Sequence, residues 1–130
     1  MLCAATCAGS VFQDVYECTA SFDLRPAEYS VLVILKEMTD VRHNRLARML
    51  GIRAANCATL INKLEERSLV TREKLPVSGR AILLRLTKEG ELLLCLANKQ
   101  VDAHRQRLRD RLGEEGATQL LKLLTKLYVA

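Results

Sequence analysis

The chain has 130 residues, about one domain's worth, and can bury a single respectable core. Apolar residues make up 49% and charged residues 27%, the balance of a folded globular protein, which excludes a disordered tail. Two prolines, six glycines and five aromatics argue against Pro-rich linkers, a collagen-like repeat and an aromatic-rich β-sandwich. No apolar run reaches the roughly 18 residues that cross a bilayer. The first basic residue is Arg25, so a secretory n-region is absent and a cytoplasmic location is expected.

In chain order, Val11, Val15, Cys18 and Phe22 recur at spacings of four, three and four, which predicts a short amphipathic helix over 11–22. Leu24-Arg25-Pro26 opens a second helix, since proline in the first turn forfeits no helical hydrogen bond. It runs to about Met38 with Leu32, Leu35 and Met38 inward, and Thr39-Asp40 breaks it. Two helices joined by a tight turn follow, 42–50 and 53–67. Gly51 sits between them, where positive φ carries no steric cost. In the first, Leu46, Ala47 and Leu50 form the apolar stripe; in the second, Cys57, Leu60, Ile61 and Leu64 form one face. The opposite face of the second carries Arg53, Ala54, Asn56, Thr59, Asn62 and Lys63, all small, polar or basic.

After Leu69 the period changes from helical to alternating. Residues 69–74 and 81–86 read as strands of a hairpin whose tip, 75–80, is too long for a two-residue turn. Thr87 then caps a long helix that Gly113 ends, and a last amphipathic helix passes through Leu120, Leu121, Leu124, Leu127 and Tyr128. Within the long helix Leu94, Ala97, Val101, His104 and Leu108 make a heptad-like seam. A helix-turn-helix followed at once by a hairpin is a winged helix. The expected fold is therefore mainly α (α+β): a winged-helix lobe over 25–87, flanked by helices at 1–24 and 88–130 that form a dimerisation lobe.

Charge is unevenly spread. Between Arg42 and Lys88 there are eleven Lys/Arg against the three acids Glu65, Glu66 and Glu73, while the rest of the chain holds nine basic and twelve acidic residues. A cationic middle between slightly acidic flanks is the footprint of a polyanion-binding module. Five cysteines (Cys3, Cys7, Cys18, Cys57, Cys95) are an odd number without a disulfide framework, and Cys57 and Cys95 read as small buried hydrophobes. No cysteine or histidine set has zinc spacing, so neither metal nor cofactor is expected. Gly-rich phosphate loops, nucleophile elbows and paired catalytic acids are also missing, which disfavours an enzyme.

Four stretches in order resemble the MarR family of bacterial transcription regulators. They are Leu24-Arg25-Pro26-Ala27-Glu28-Tyr29-Ser30-Val31-Leu32, Arg45-Leu46-Ala47-Arg48-Met49-Leu50-Gly51-Ile52, residues 60–70, and Arg80-Ala81 with Leu86-Thr87-Lys88-Glu89-Gly90. The resemblance covers roughly 11–128 and implies a homodimer that binds palindromic double-stranded DNA, usually as a repressor, and is released by a small ligand or an oxidant. Two departures stand out. The family's wing usually reads Asp-Arg-Arg, whereas this chain has Ser78-Gly79-Arg80. Arg53 stands where a Ser or Thr cap is common, forgoing an N-cap worth about 1 kcal/mol and adding a cation.

In a helix-turn-helix the N-terminal residues of the second helix meet base edges. Asn56 and Thr59 are the base-reading candidates, through an Asn–adenine pair and a Thr–thymine methyl contact. Arg53 faces either a guanine edge or a phosphate. Lys63, Arg45 and Arg72 are assigned to phosphates and Arg80 to the minor groove. The family's effector cleft, which takes small aromatic or phenolic anions, lies near Arg25, Tyr29 and His43. Cys18, near Tyr16, is the candidate for oxidative release, although no Lys or Arg lies within a turn of it to activate the thiol. The alternative is a winged-helix scaffold that binds protein without reading DNA.

Overall fold

Pro26 at the first helical position and Glu28 two residues on start the first long element. A computed structural model describes residues 13–14, 16–75 and 82–128. The expectations placed on Cys3, Cys7, Val11, Val15 and the wing tip Ser78-Gly79-Arg80 fall outside these residues. Helix α1 comprises the helical residues 13–14 and 16–20. Helix α2 spans Pro26–Glu37; the Glu28 carboxylate accepts a 3.0 Å bond from the Arg25 N–H and is itself buried. A buried acid is tolerated because that bond and the positive helix end offset its loss of hydration.

Strand β1 is only Val41–Arg42, α3 is His43–Leu50 and α4 is Ala54–Glu66. Gly51 leaves α3 at φ 66°, and its N–H reaches back to Ala47 O and Arg48 O. Nothing would obstruct a Cβ there, so the backbone angle is what calls for glycine. Past α4, Ser68 takes the left-handed position at φ 59°, while the Leu69 N–H returns to Leu64 O at 2.9 Å.

Strands β2 (Val70–Lys74) and β3 (Ile82–Leu86) pair antiparallel, with Arg72 opposite Leu84, and β1 adds to the far side of β3 through Val41 opposite Leu84. The order is β1-β3-β2. Sequence reading had Arg42 inside a helix; instead it ends a short third strand, because pairing with Leu83 satisfies its backbone first.

Helix α5 spans Lys88–Tyr128 and is broken at Gly113 (φ 72°, ψ 165°), which gives an 88–112 arm and a 114–128 arm. The Thr87 hydroxyl accepts from the Gly90 N–H at 2.9 Å and donates to Ser68 O at 2.6 Å. A Cβ on Gly90 would stand 2.3 Å from Leu69 O, so a side chain there would push α5 off the sheet. The core joins Leu24, Val31, Leu32, Leu46, Ile61, Leu64, Val70 and Leu84 to Leu94 and Ala97 of α5. The seam residues Leu94, Ala97, Val101 and His104 are thus buried within one chain. Cys57 is fully buried as expected, but Cys95 is exposed: it lies one position past the seam residue Leu94 and so points about 100° away.

Candidate nucleic-acid interface

Helix α4 separates its two faces cleanly. Cys57, Ile61 and Leu64 have no exposure, whereas Arg53, Ala54, Asn56, Thr59, Asn62 and Lys63 are all exposed on the other side. No acid occupies the first turn and Arg53 makes no side-chain cap, so the N–H groups that open the helix keep their partial positive charge facing outward. Such an end suits a phosphate. The Thr59 hydroxyl donates to Ala55 O at 3.1 Å, which spends its proton inside the helix and leaves oxygen lone pairs to accept. Arg45 and Arg48 are exposed on α3, beside this surface in sequence and packing.

Arg72, expected at a phosphate, is already engaged within the chain. Its Nη2 donates to Asn62 Oδ1 at 2.7 Å and its Nε lies 3.4 Å from Glu65 Oε2. The guanidinium therefore braces α4 against β2. The bond to the Asn62 oxygen orients the amide and leaves its NH2 donors unspent, since a guanidinium can bond nothing but the amide oxygen. Across the hairpin Arg85 is ion-paired with Glu73. Arg80 lies outside the described residues.

Sequence reading passed over Arg67, at the C-cap of α4. Its Nη1 donates to Asp23 O at 2.7 Å and its Nη2 to Phe22 O at 3.1 Å, some 44 residues back in the chain. Backbone carbonyls leave no mark in a sequence, so only the basic type at a helix end hinted at a partner.

None of the proposed effector residues Arg25, Tyr29 and His43 lines the groove that lies beside α5. Tyr29 is half-buried against α5 and its hydroxyl donates to Asn98 Oδ1. Burial pushes the Tyr29 phenol pKa up; Arg105 opposes the shift and Asp102 adds to it. A groove of about 780 Å³ runs beside this contact, lined by Lys36, Lys88, Leu92, Cys95, Asn98 and Lys99 among others, with Lys36 3.3 Å from Glu91. Tyr29 touches the groove's wall through Asn98 but, like Arg25 and His43, is not part of its lining. Arg25 is exposed at the α2 cap, and His43 opens α3 with a buried Nε2 that has no hydrogen-bond partner.

Cys18 is half-buried on α1. The Cys57 Sγ–H points to His43 O at 3.9 Å, and burial pushes its pKa up, the reverse of what a reactive thiol needs. Among the described residues no group of three or more His, Cys, Asp or Glu could hold a metal ion, and no helix is long and apolar enough to cross a membrane.

A family model described as MarR family matches residues 24–82, from the start of α2 into β3. A solved structure of the transcriptional repressor CouR bound to a 23-mer DNA duplex is 30% identical. It superposes with a TM-score of 0.87 over 97% of this chain and 92% of that one. CouR from Rhodococcus jostii RHA1 bound to p-coumaroyl-CoA is 28% identical, with a TM-score of 0.86 over 96% of this chain and 88% of that one. A protein of Thauera aromatica described as a transcriptional regulator for the hcr operon is 24% identical over 110 residues. That match takes in 85% of this chain and 66% of the relative's length, a little under two thirds.

Proposed function

The chain belongs to the MarR family of transcriptional regulators and has its winged-helix fold, and from that premise we propose that it represses transcription as a homodimer bound to a palindromic operator. One observation carries this reading: the outward face of α4 is unbroken from Arg53 to Lys63 by any large apolar side chain. A protein-binding scaffold would present Leu, Met or aromatic anchors on such a face.

In this reading the winged-helix lobe is 25–87, and the flanking helices, 1–24 and 88–130, pair two copies. Leu120, Leu121, Leu123, Leu124 and Leu127 are exposed on the arm beyond Gly113 and would be covered by the second copy. Asn56 and Thr59 read base edges in the major groove, Arg53 reads guanine or holds phosphate, and Lys63 and Arg45 neutralise phosphates. Arg80, at the wing, is assigned to the minor groove, where A·T-rich sequence narrows it and deepens its negative potential. Arg72, held to Asn62 and Glu65 beside the reading helix, is assigned to a phosphate as well.

Release is assigned to a small aromatic or phenolic anion, free or as a thioester. CouR structures contain p-coumaroyl-CoA. In the groove beside Tyr29 the lysines Lys36, Lys88 and Lys99 outnumber the acids Glu91 and Asp102, leaving a surplus cation for such a ligand's negative groups. Oxidation at Cys18 is the second route to release.

Selection of bound duplexes from a random pool tests the central claim. The expected product is a palindrome whose half-sites lie about 10 base pairs apart, centre to centre. Absence of any enriched sequence at low salt would overturn it in favour of the scaffold.

A further inference from the structure

We infer that Arg67 is a positioning residue that ties the reading helix to the α1–α2 turn and thereby sets the half-site spacing the dimer accepts; the spacing claim rests on the dimeric reading above. Helix α1 closes with the Phe22 and Leu24 N–H groups both returning to Thr19 O, and the Asp23 N–H to Ala20 O, with Asp23 at φ 53°. This turn uses up its N–H groups and leaves the Phe22 and Asp23 carbonyls pointing outward, without helical partners. Arg67 takes both with one guanidinium, at 3.1 and 2.7 Å. Two parallel bonds from a rigid planar group fix direction as well as distance, which a lysine could not do.

The location gives this contact its leverage. Arg67 is the C-cap of the helix that reads DNA, and its own N–H closes onto Lys63 O. The Arg72 brace holds the same end of α4, but to β2, inside the winged-helix lobe. Arg67 instead reaches out of that lobe to the end of α1, one of the helices assigned to the dimer. Both groups are exposed, so the fork adds little to overall stability. Its effect is on pose. The core already holds α4 to α5 through Ile61, Leu64, Leu94 and Ala97, so the fork supplies the attachment on the α1 side. A reading head released on that side can rock and follow half-sites that are closer together or further apart.

Two measurements on the full chain test the claim. Residual dipolar couplings of the α1 and α4 amides are expected to fit one alignment tensor in wild type and in Arg67→Lys to need a looser fit. In Arg67→Ala they are expected to need two tensors. In gel shifts on the selected operator, inserting or deleting one base pair between half-sites should weaken wild type about tenfold or more. The Arg67→Ala dimer should keep its affinity for an isolated half-site and lose only about two- to threefold on the altered spacers. A single tensor in Arg67→Ala overturns the tie. An equal loss at every spacing and on the half-site, or spacing discrimination as sharp as wild type, overturns the positioning role. If wild type selects no palindrome, the dimeric reading falls and takes the spacing claim with it, while the tensors still judge the tie.

Discussion

The two ends of helix α5 obey different rules. Up to Val101 its inward positions are closed by the chain's own core, with Leu94 3% and Ala97 0% exposed. Beyond Gly113 leucines recur just as often, yet Leu121 is 61% exposed and Leu127 79%. The same residue type with the same helical spacing is thus sealed by the chain's own core in one arm and left bare in the other. Apolar periodicity reveals a buried face; it does not say which molecule does the burying.

That contrast can be broken or sharpened by mutation. The largest effect on folding is expected from Leu64→Ala, in the sealed lobe: urea unfolding should show a loss of about 2–5 kcal/mol, as for other core truncations. Leu124→Ala should leave the monomer's stability within about 0.5 kcal/mol and weaken self-association instead, read by sedimentation. Equal losses from both substitutions would show that the arm is folded back on its own chain.

A smaller change is expected for Lys63→Ala, which touches neither core nor arm. Operator affinity should fall, and the slope of log K against log salt should shrink by about 0.9, the share of one neutralised phosphate. An unchanged slope would remove Lys63 from the interface while leaving the lobe's core intact.

The smallest effect concerns the sealed arm, where Tyr29 of α2 meets Asn98 of α5. Burial raises the Tyr29 pKa in the folded chain, so the native state holds the phenolic proton more tightly than the unfolded one does. The stability this provides is complete below the unfolded value of 10.0 and fades as pH climbs through the folded value. Denaturation midpoints for Tyr29→Phe should therefore decline less steeply above that pH than those of wild type.

Much of this architecture could be read from periodicity and turn residues. The polar face of α4, the Thr87 cap, the Gly113 break and the buried seam all follow from spacing within a few turns. Strand β1 did not, because Val41-Arg42 is too short to show a period and exists only through Leu83 and Leu84, over forty residues later. Charge alone could not say that Arg72 faces Glu65 and Asn62, since a carboxylate and a phosphate attract a guanidinium equally well. Gly90 was recognised only as part of a family pattern; its physical cause, the Leu69 carbonyl, needs the packed structure. The expected effector site was the least legible feature. Tyr29 reaches the edge of a groove whose lining comes mainly from α5, and neither Arg25 nor His43 joins it.

The strand order β1-β3-β2 has a bearing on solubility. Of the sheet's two borders, one is only two residues long, and the other, β2, displays Thr71, Arg72, Glu73 and Lys74 to solvent. Neither offers the long, uncharged border along which strands of separate molecules zip together. On the proposed reading, in which the bare leucines beyond Gly113 await a second copy, the chain is thereby spared a second, less orderly route to association.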